Sequence, residues 1–81
     1  MQIWKFELER SDKPQTIKMP KGAKILHTAK QLDWFCMWAE VEPHNDTEER
    51  TFLIIATDEK YFGTYVGIIF DKPFVWHIIE N

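Results

Sequence analysis

The residues that could catalyse a reaction or hold a metal ion are few and lie far apart in the sequence. None of His27, His44 and His77 has a second histidine or a cysteine within five residues, whereas metal sites usually combine such ligands at short fixed spacings. The one serine, Ser11, has no histidine near it, and Cys36 lies in an apolar stretch that should raise the pKa of a thiol. We therefore expect no catalytic residue, no metal site and no cofactor, and we predict that the protein is not an enzyme.

Aromatic and basic side chains offer a different chemistry, the binding of a small anion. Tryptophan and tyrosine present flat faces on which a ring can stack, and two or three well-placed cations suffice for a small anionic ligand. The candidates for stacking are Trp38, Trp76 and Tyr65. The candidates for contact with the anion are Arg50, Lys24 and Lys5. Two residues, one of them a candidate above, have ordinary alternatives to a binding role. Arg50 is suited to pairing with an acidic loop residue, and His77, on the same strand as Trp76, is suited to a hydrogen-bonded place in the core.

Residues 34–41, WFCMWAEV, are apolar on both faces if they form a strand, because successive side chains point to opposite sides. The two sets are Phe35, Met37, Ala39 and Val41 on one face and Trp34, Cys36 and Trp38 on the other. A chain of 81 residues has one small core, so the second face needs a cover. A second subunit or a ligand would supply it, and we predict a homo-oligomer.

The elements that position these residues are almost all short strands. Apolar runs that alternate or are β-branched are separated by turn residues and lie at 2–9, 15–19, 23–30, 34–41, 50–57, 64–70 and 74–80. The last two predict a hairpin, and the longest polar loop covers 43–49. The triplet Asp-Lys-Pro occurs at 12–14 and at 71–73, which indicates turns. The pattern predicts one all-β domain over residues 1–81, a small antiparallel barrel or sandwich of about seven short strands.

Composition narrows the function classes. A hydrophobic content of 44% and an aromatic content of 15% are typical of a folded chain. A single cysteine and no signal-peptide pattern predict a cytoplasmic protein, and no apolar run approaches the ~20 residues that cross a membrane. The net charge of −3 argues against binding to duplex nucleic acid.

Several segments resemble a family of short phage and prophage proteins, largely without assigned function. The matching segments are IWKFEL (3–8), QTIKMPKGAKIL (15–26), WAEVEP (38–43), EERTF (48–52) and YVGIIFDKPFVWHIIE (65–80). The chain departs from the family pattern after Ala56-Thr57, where a Gly and a His are usual and Asp58-Glu59-Lys60 stands here. The resemblance implies a phage-derived accessory protein that acts in the cytoplasm of an infected bacterium, against host defences.

Two functional hypotheses follow from the residues and the resemblance together. In the first, a homo-oligomeric, non-enzymatic protein sequesters a small anionic ligand such as a nucleotide signal of host immunity. In the second, an interaction module docks an apolar aromatic face on a host protein.

Overall fold

The computed structural model describes residues 1–81 and contains seven β-strands and no helix. The strands are β1 (Gln2–Leu8), β2 (Gln15–Pro20), β3 (Lys24–Gln31), β4 (Trp34–Val41), β5 (Thr47–Ala56), β6 (Thr64–Asp71) and β7 (Phe74–Glu80). All pairings are antiparallel, in one sheet of order β1-β4-β3 and one of order β2-β5-β7-β6. The all-β prediction is confirmed, and the two sheets form a sandwich.

The chain passes repeatedly from one sheet to the other. β1 and β2 are consecutive in sequence but belong to different sheets. The only consecutive strands that pair with each other, as hairpins, are β3 with β4 and β6 with β7. The predicted C-terminal hairpin is therefore confirmed. The first and last strands do not pair, since β1 is an edge of the three-stranded sheet and β7 lies inside the four-stranded sheet.

The largest error in strand limits concerns β5, which begins at Thr47 rather than at residue 50. Residues 47–49 lie in the run that was predicted to be a polar loop. They are paired with the last residues of β2, Lys18 to Pro20. Backbone pairing with a neighbouring strand therefore overrides the loop-like composition of this segment.

The core lies between the inner faces of the two sheets. From β4 it takes Phe35, Met37, Ala39 and Val41, each no more than 1% exposed. The four-stranded sheet contributes Phe52, Ile54, Ile69 and Ile78. This confirms the predicted inner face of residues 34–41. Burying each large apolar side chain stabilises the fold by roughly 1.5–3 kcal/mol.

The second face of β4 is covered largely by the chain itself. The order β1-β4-β3 places long side chains on both sides of Cys36, and Lys5 Nζ donates to Gln31 Oε1 at 2.7 Å across that residue. Cys36 is fully buried, and burial raises the pKa of its thiol. Trp38 packs on His27 with ring centres 6.0 Å apart. The chain's own side chains therefore cover Cys36 and part of Trp38, whereas Trp34 on the same face stays 42% exposed.

The two long sides of the sandwich differ. On one side the edge strands β3 and β6 meet, and Thr28 Oγ1 donates to the carbonyl oxygen of Ile68 at 2.8 Å. On the other side no backbone hydrogen bond joins β1 to β2. The sandwich is thus closed along β3 and β6 and open along β1 and β2.

Candidate functional site: an aromatic cleft at one end of the sandwich

A cleft opens between the two sheets at the end where β1 and β5 finish. It has a volume of about 160 Å³. Its lining consists of Arg10, Ser11, Asp12, Phe35, Ile54, Glu59 and Trp76. A cavity of about 150 Å³ accommodates one benzene ring in another protein, so the space in this aromatic cleft fits one planar ring.

Trp76 forms the main wall of the aromatic cleft. Because it alternates with the buried Ile78, its side chain lies on the inner face of β7, near the start of the strand. Its ring centre is 6.4 Å from that of Phe35 and 5.7 Å from that of Phe74. These three rings form a row at the open end, of which Phe74 is the most exposed, at 55%.

The indole nitrogen of Trp76 is buried and has no hydrogen-bond partner. It lies near the carboxylate of Asp71 and helps to hold the pKa of that carboxylate below its usual range. A buried donor without an acceptor costs roughly 1–3 kcal/mol. Because the nitrogen itself has less than 1 Å² of accessible surface, a ligand in the aromatic cleft meets the ring of Trp76 and not its N–H.

Arg10 supplies the positive charge of the site. It follows β1, and its guanidinium lies over the ring of Phe35, 5.2 Å from the ring centre, while it pairs with Asp71. Lys30 Nζ reaches the same carboxylate at 3.0 Å, and its hydrogen bond, with the charge of Arg10, holds the pKa of Asp71 below its usual range. The side chain of Arg10 is still 44% exposed, so a ligand can reach it.

Two carboxylates complete the rim. Asp12 lies in the turn after β1, and Glu59 follows β5, where its Oε1 accepts a hydrogen bond of 3.0 Å from the backbone nitrogen of Ala56. The aromatic cleft thus offers N–H donors from Arg10 and acceptors from two acids. Such a set is complementary to a flat ring that carries hydrogen-bond acceptors and donors together.

The six residues predicted for ligand binding do not share one site. Trp76 lines the aromatic cleft. Lys5 and Trp38 are direct neighbours on the outer face of the three-stranded sheet, with Lys24 further along the same face beside Glu40. Tyr65 and Arg50 lie elsewhere, on the outer face of the four-stranded sheet and inside the sandwich, respectively. The structure therefore brings Trp38, Lys5 and Lys24 together and separates the other three.

Arg50 is occupied by partners within the chain. Its Nε and Nη2 donate to the two carboxylate oxygens of Glu80 at 2.6 and 2.8 Å, and Nη1 donates to the carbonyl oxygen of Ala23 at 2.5 Å. The hydrogen bonds to Glu80 raise the pKa of Arg50. Pairing with an acid was the ordinary alternative for this residue, and the acid is on strand β7 rather than in a loop.

Tyr65 and His77 form a second polar group on the outer face of the four-stranded sheet. Tyr65 Oη lies 2.7 Å from His77 Nδ1, and Thr57 Oγ1 lies 2.9 Å from His77 Nε2. Together with Ile55 and Tyr61 they border a depression of about 140 Å³. Both ring nitrogens of His77 are therefore satisfied, as in the hydrogen-bonded alternative, although the residue lies on the outer face.

Sequence reasoning did not identify Arg10 and Asp71 as site residues. Each belongs to or borders a turn, and each turn contains an Asp-Lys-Pro triplet, at 12–14 and 71–73. Arg10 and Asp71 form an ion pair across this end of the sandwich. The repeated triplet was the available signal, but only the fold shows that the two turns meet.

Within the whole chain, no group of three or more His, Cys, Asp and Glu side chains is placed to hold a metal ion. The structure has no helix with the length and apolar character that crossing a membrane requires. Fold and site together define an all-β sandwich with a ring-sized cleft between its sheets. The chain belongs to the family described as Domain of unknown function (DUF7352), whose model matches residues 1–81. Comparisons with curated proteins and with solved structures give no significant match.

Proposed function

We propose that the protein is a non-enzymatic binding protein that sequesters a small anionic ligand with a planar ring, such as a nucleotide, in the aromatic cleft. The observation that carries the proposal is a ring-sized space walled by Trp76, with the partly exposed guanidinium of Arg10 at its rim. Trp76, which is only partly buried, supplies the stacking surface, and stacking of a base on an aromatic side chain contributes roughly 1–3 kcal/mol.

The polar groups of the cleft favour a particular kind of ring. The rim acids Asp12 and Glu59 call for donors such as an exocyclic amine, and they disfavour negative charge close to them. The anionic part of the ligand therefore lies at Arg10, which makes charge-assisted hydrogen bonds with phosphate or carboxylate.

The proposed setting is a phage-encoded protein in the cytoplasm of an infected bacterium. The support for this is the resemblance of segments such as IWKFEL and FVWHIIE to phage proteins. A protein that holds a nucleotide signal without altering it would lower the free concentration of that signal. Its proposed role is therefore evasion of a nucleotide-triggered host defence.

Titration calorimetry with a panel of mononucleotides and cyclic dinucleotides tests the proposal. Trp76→Phe replaces the indole by a smaller ring and so reduces the stacking surface, and it should weaken binding severalfold. Arg10→Gln should weaken binding of the phosphate-bearing ligand but not that of the matching nucleoside. Thermal melts of each variant establish that it is folded.

The matched control is Trp38→Phe, on the outer face of the three-stranded sheet. It should leave binding unchanged. If Trp38→Phe and Lys5→Ala weaken binding and Trp76→Phe does not, the ligand binds on that outer face instead. If no nucleotide in the panel binds the native protein, the sequestering function is wrong.

The second candidate, docking on a host protein, has its own observation. The outer face of β6 exposes Tyr65, Ile68 and Phe70 by 46%, 36% and 66%, and Phe62 is 90% exposed. Exposed aromatic side chains of this kind are enriched at interfaces. A Phe70→Asp variant that loses a co-purifying host protein, while nucleotides fail to bind the native protein, would favour this candidate.

A further inference from the structure

The open side of the sandwich leaves the whole outer edge of β1 without a backbone partner. β1 pairs only with β4, and no other backbone hydrogen bond involves it. Along this edge Ile3 is 63% and Trp4 is 38% exposed. A free edge of seven residues without proline is a template for another strand.

The direction of the peptide groups along the edge follows from Glu9. The side-chain amide of Gln15, on β2, binds both backbone polar groups of Glu9. Its Oε1 accepts a hydrogen bond of 2.8 Å from Glu9 N, and its Nε2 donates one of 2.7 Å to Glu9 O. Because peptide groups on alternate residues of a strand point the same way, Lys5 and Glu7 direct theirs to the free edge. These two residues can therefore form hydrogen-bonded pairs with an added strand, and the Gln15 amide ends the ladder at Glu9.

Charge selects the partner and the register. Two β1 strands that pair antiparallel with Phe6 opposite Phe6 place Lys5 of each copy opposite Glu7 of the other. Registers centred on Lys5 or on Glu7 place like charges opposite each other, and one centred on Trp4 places Lys5 opposite Ile3. Opposite charges in facing positions stabilise a strand pair, whereas like charges destabilise it.

The other edges lack this complementarity. β2 carries Lys18 and no acidic residue, so that its self-pairing leaves the lysine without a partner. β3 and β6 lie against each other, joined by the hydrogen bond from Thr28 to Ile68.

On the inner side, pairing about Phe6 also places Trp4 opposite Leu8 of the second copy and so extends the core across the junction.

We propose that two copies of this chain form a dimer by antiparallel pairing of their β1 strands about a two-fold axis at Phe6. The dimer joins the two three-stranded sheets into one continuous sheet and covers the exposed parts of Trp4 and Phe6. It uses neither the aromatic cleft nor the outer face of β4.

Charge reversal combined with sedimentation equilibrium tests the interface and the register together. Lys5→Glu and Glu7→Lys should each raise the dissociation constant of the dimer about tenfold or more, because both facing pairs become like-charged. The double variant Lys5→Glu/Glu7→Lys should restore dimerisation. An equimolar mixture of the two single variants should form a mixed dimer, which native mass spectrometry distinguishes by mass.

Lys18→Glu on the edge of β2 is the matched control and should leave the dimer unchanged. Thermal melts of the single variants show whether loss of the Lys5–Gln31 hydrogen bond unfolds the monomer. A native protein that stays monomeric at every concentration overturns the proposal. So does a dimer that Lys18→Glu weakens more than the β1 variants do, or a mixture of single variants that forms no mixed dimer.

Discussion

Thr28 and Ile68 are joined across the two sheets, since the threonine hydroxyl donates a hydrogen bond of 2.8 Å to the carbonyl oxygen of the isoleucine. The two residues belong to β3 and β6, the edge strands that meet on the closed side of the sandwich. Thr28 is only 7% exposed, so its hydroxyl is satisfied within the protein. β3 and β6 can approach each other this closely because residue 67, beside the hydrogen bond, is a glycine without a side chain.

Gly67→Ala is expected to destabilise the protein by about 1–3 kcal/mol, the usual cost of overpacking. A β-carbon at position 67 would overlap the Thr28 hydroxyl and lie 2.9 Å from its Cγ2, so that β3 and β6 must separate. Urea denaturation measures the loss. In the double variant with Thr28→Ala the cost of the alanine at 67 should shrink, and strict additivity of the two changes would contradict this origin of the strain.

Asp71→Asn is expected to destabilise the protein at neutral pH and much less in acid. Lys30 and Arg10 hold the pKa of Asp71 below its ordinary value of 3.8, so the carboxylate contributes stability above about pH 4. That contribution is lost as the pH falls through the lower pKa of the folded state. Thermal melts from pH 7 to pH 2 should show the difference between variant and native protein closing. Asp33→Asn, which removes an exposed carboxylate with no ion pair, should show a smaller difference at every pH.

Arg50→Lys is expected to cost about 1–3 kcal/mol, because lysine cannot make the bidentate contact with Glu80 and reach the carbonyl of Ala23 as well. Chemical denaturation gives the value. The comparison is Arg10→Lys, since the side chain of Arg10 is 44% exposed and that of Arg50 only 17%. If Arg10→Lys lowers the free energy of unfolding as much as Arg50→Lys or more, the buried pair of Arg50 and Glu80 does not stabilise the fold more than the exposed pair of Arg10 and Asp71.

Cys36 is expected to react slowly with thiol reagents in the native protein, because it is fully buried and burial raises the pKa of the thiol. Lys5→Ala should accelerate the reaction, since the Lys5 side chain crosses over Cys36 to reach Gln31. Lys18→Ala, on the other sheet, should have no effect. A rate in the native protein equal to that in denaturant would mean that the cover over Cys36 is not persistent.

Local sequence patterns were enough to predict the strands and the inner face of β4, because both depend on alternation between neighbouring residues. The apolar surroundings of Cys36 were also predicted. Its cover was not, since Lys5 and Gln31 reach it only through the strand order β1-β4-β3. That order is a property of the whole fold and leaves no mark on the residues of any one strand.

The aromatic cleft was out of reach for the same reason. Its cation and the buried carboxylate, Arg10 and Asp71, are 61 positions apart in the chain and belong to turns of ordinary composition. Trp76 was identified as a stacking candidate from its residue type. Its place inside the sandwich follows from its pairing with Ala56 and Ile69 in the second sheet.

The alternation of the chain between sheets makes its two halves interdependent. A cut in the connection at residues 42–46 would separate a fragment with the complete three-stranded sheet from one with β5, β6 and β7. The first fragment would still carry β2, which forms the edge of the sheet that belongs to the second. The pairing of β2 with β5 therefore links the two fragments. A molecule cleaved in this connection should stay associated and should separate into two fragments only on unfolding.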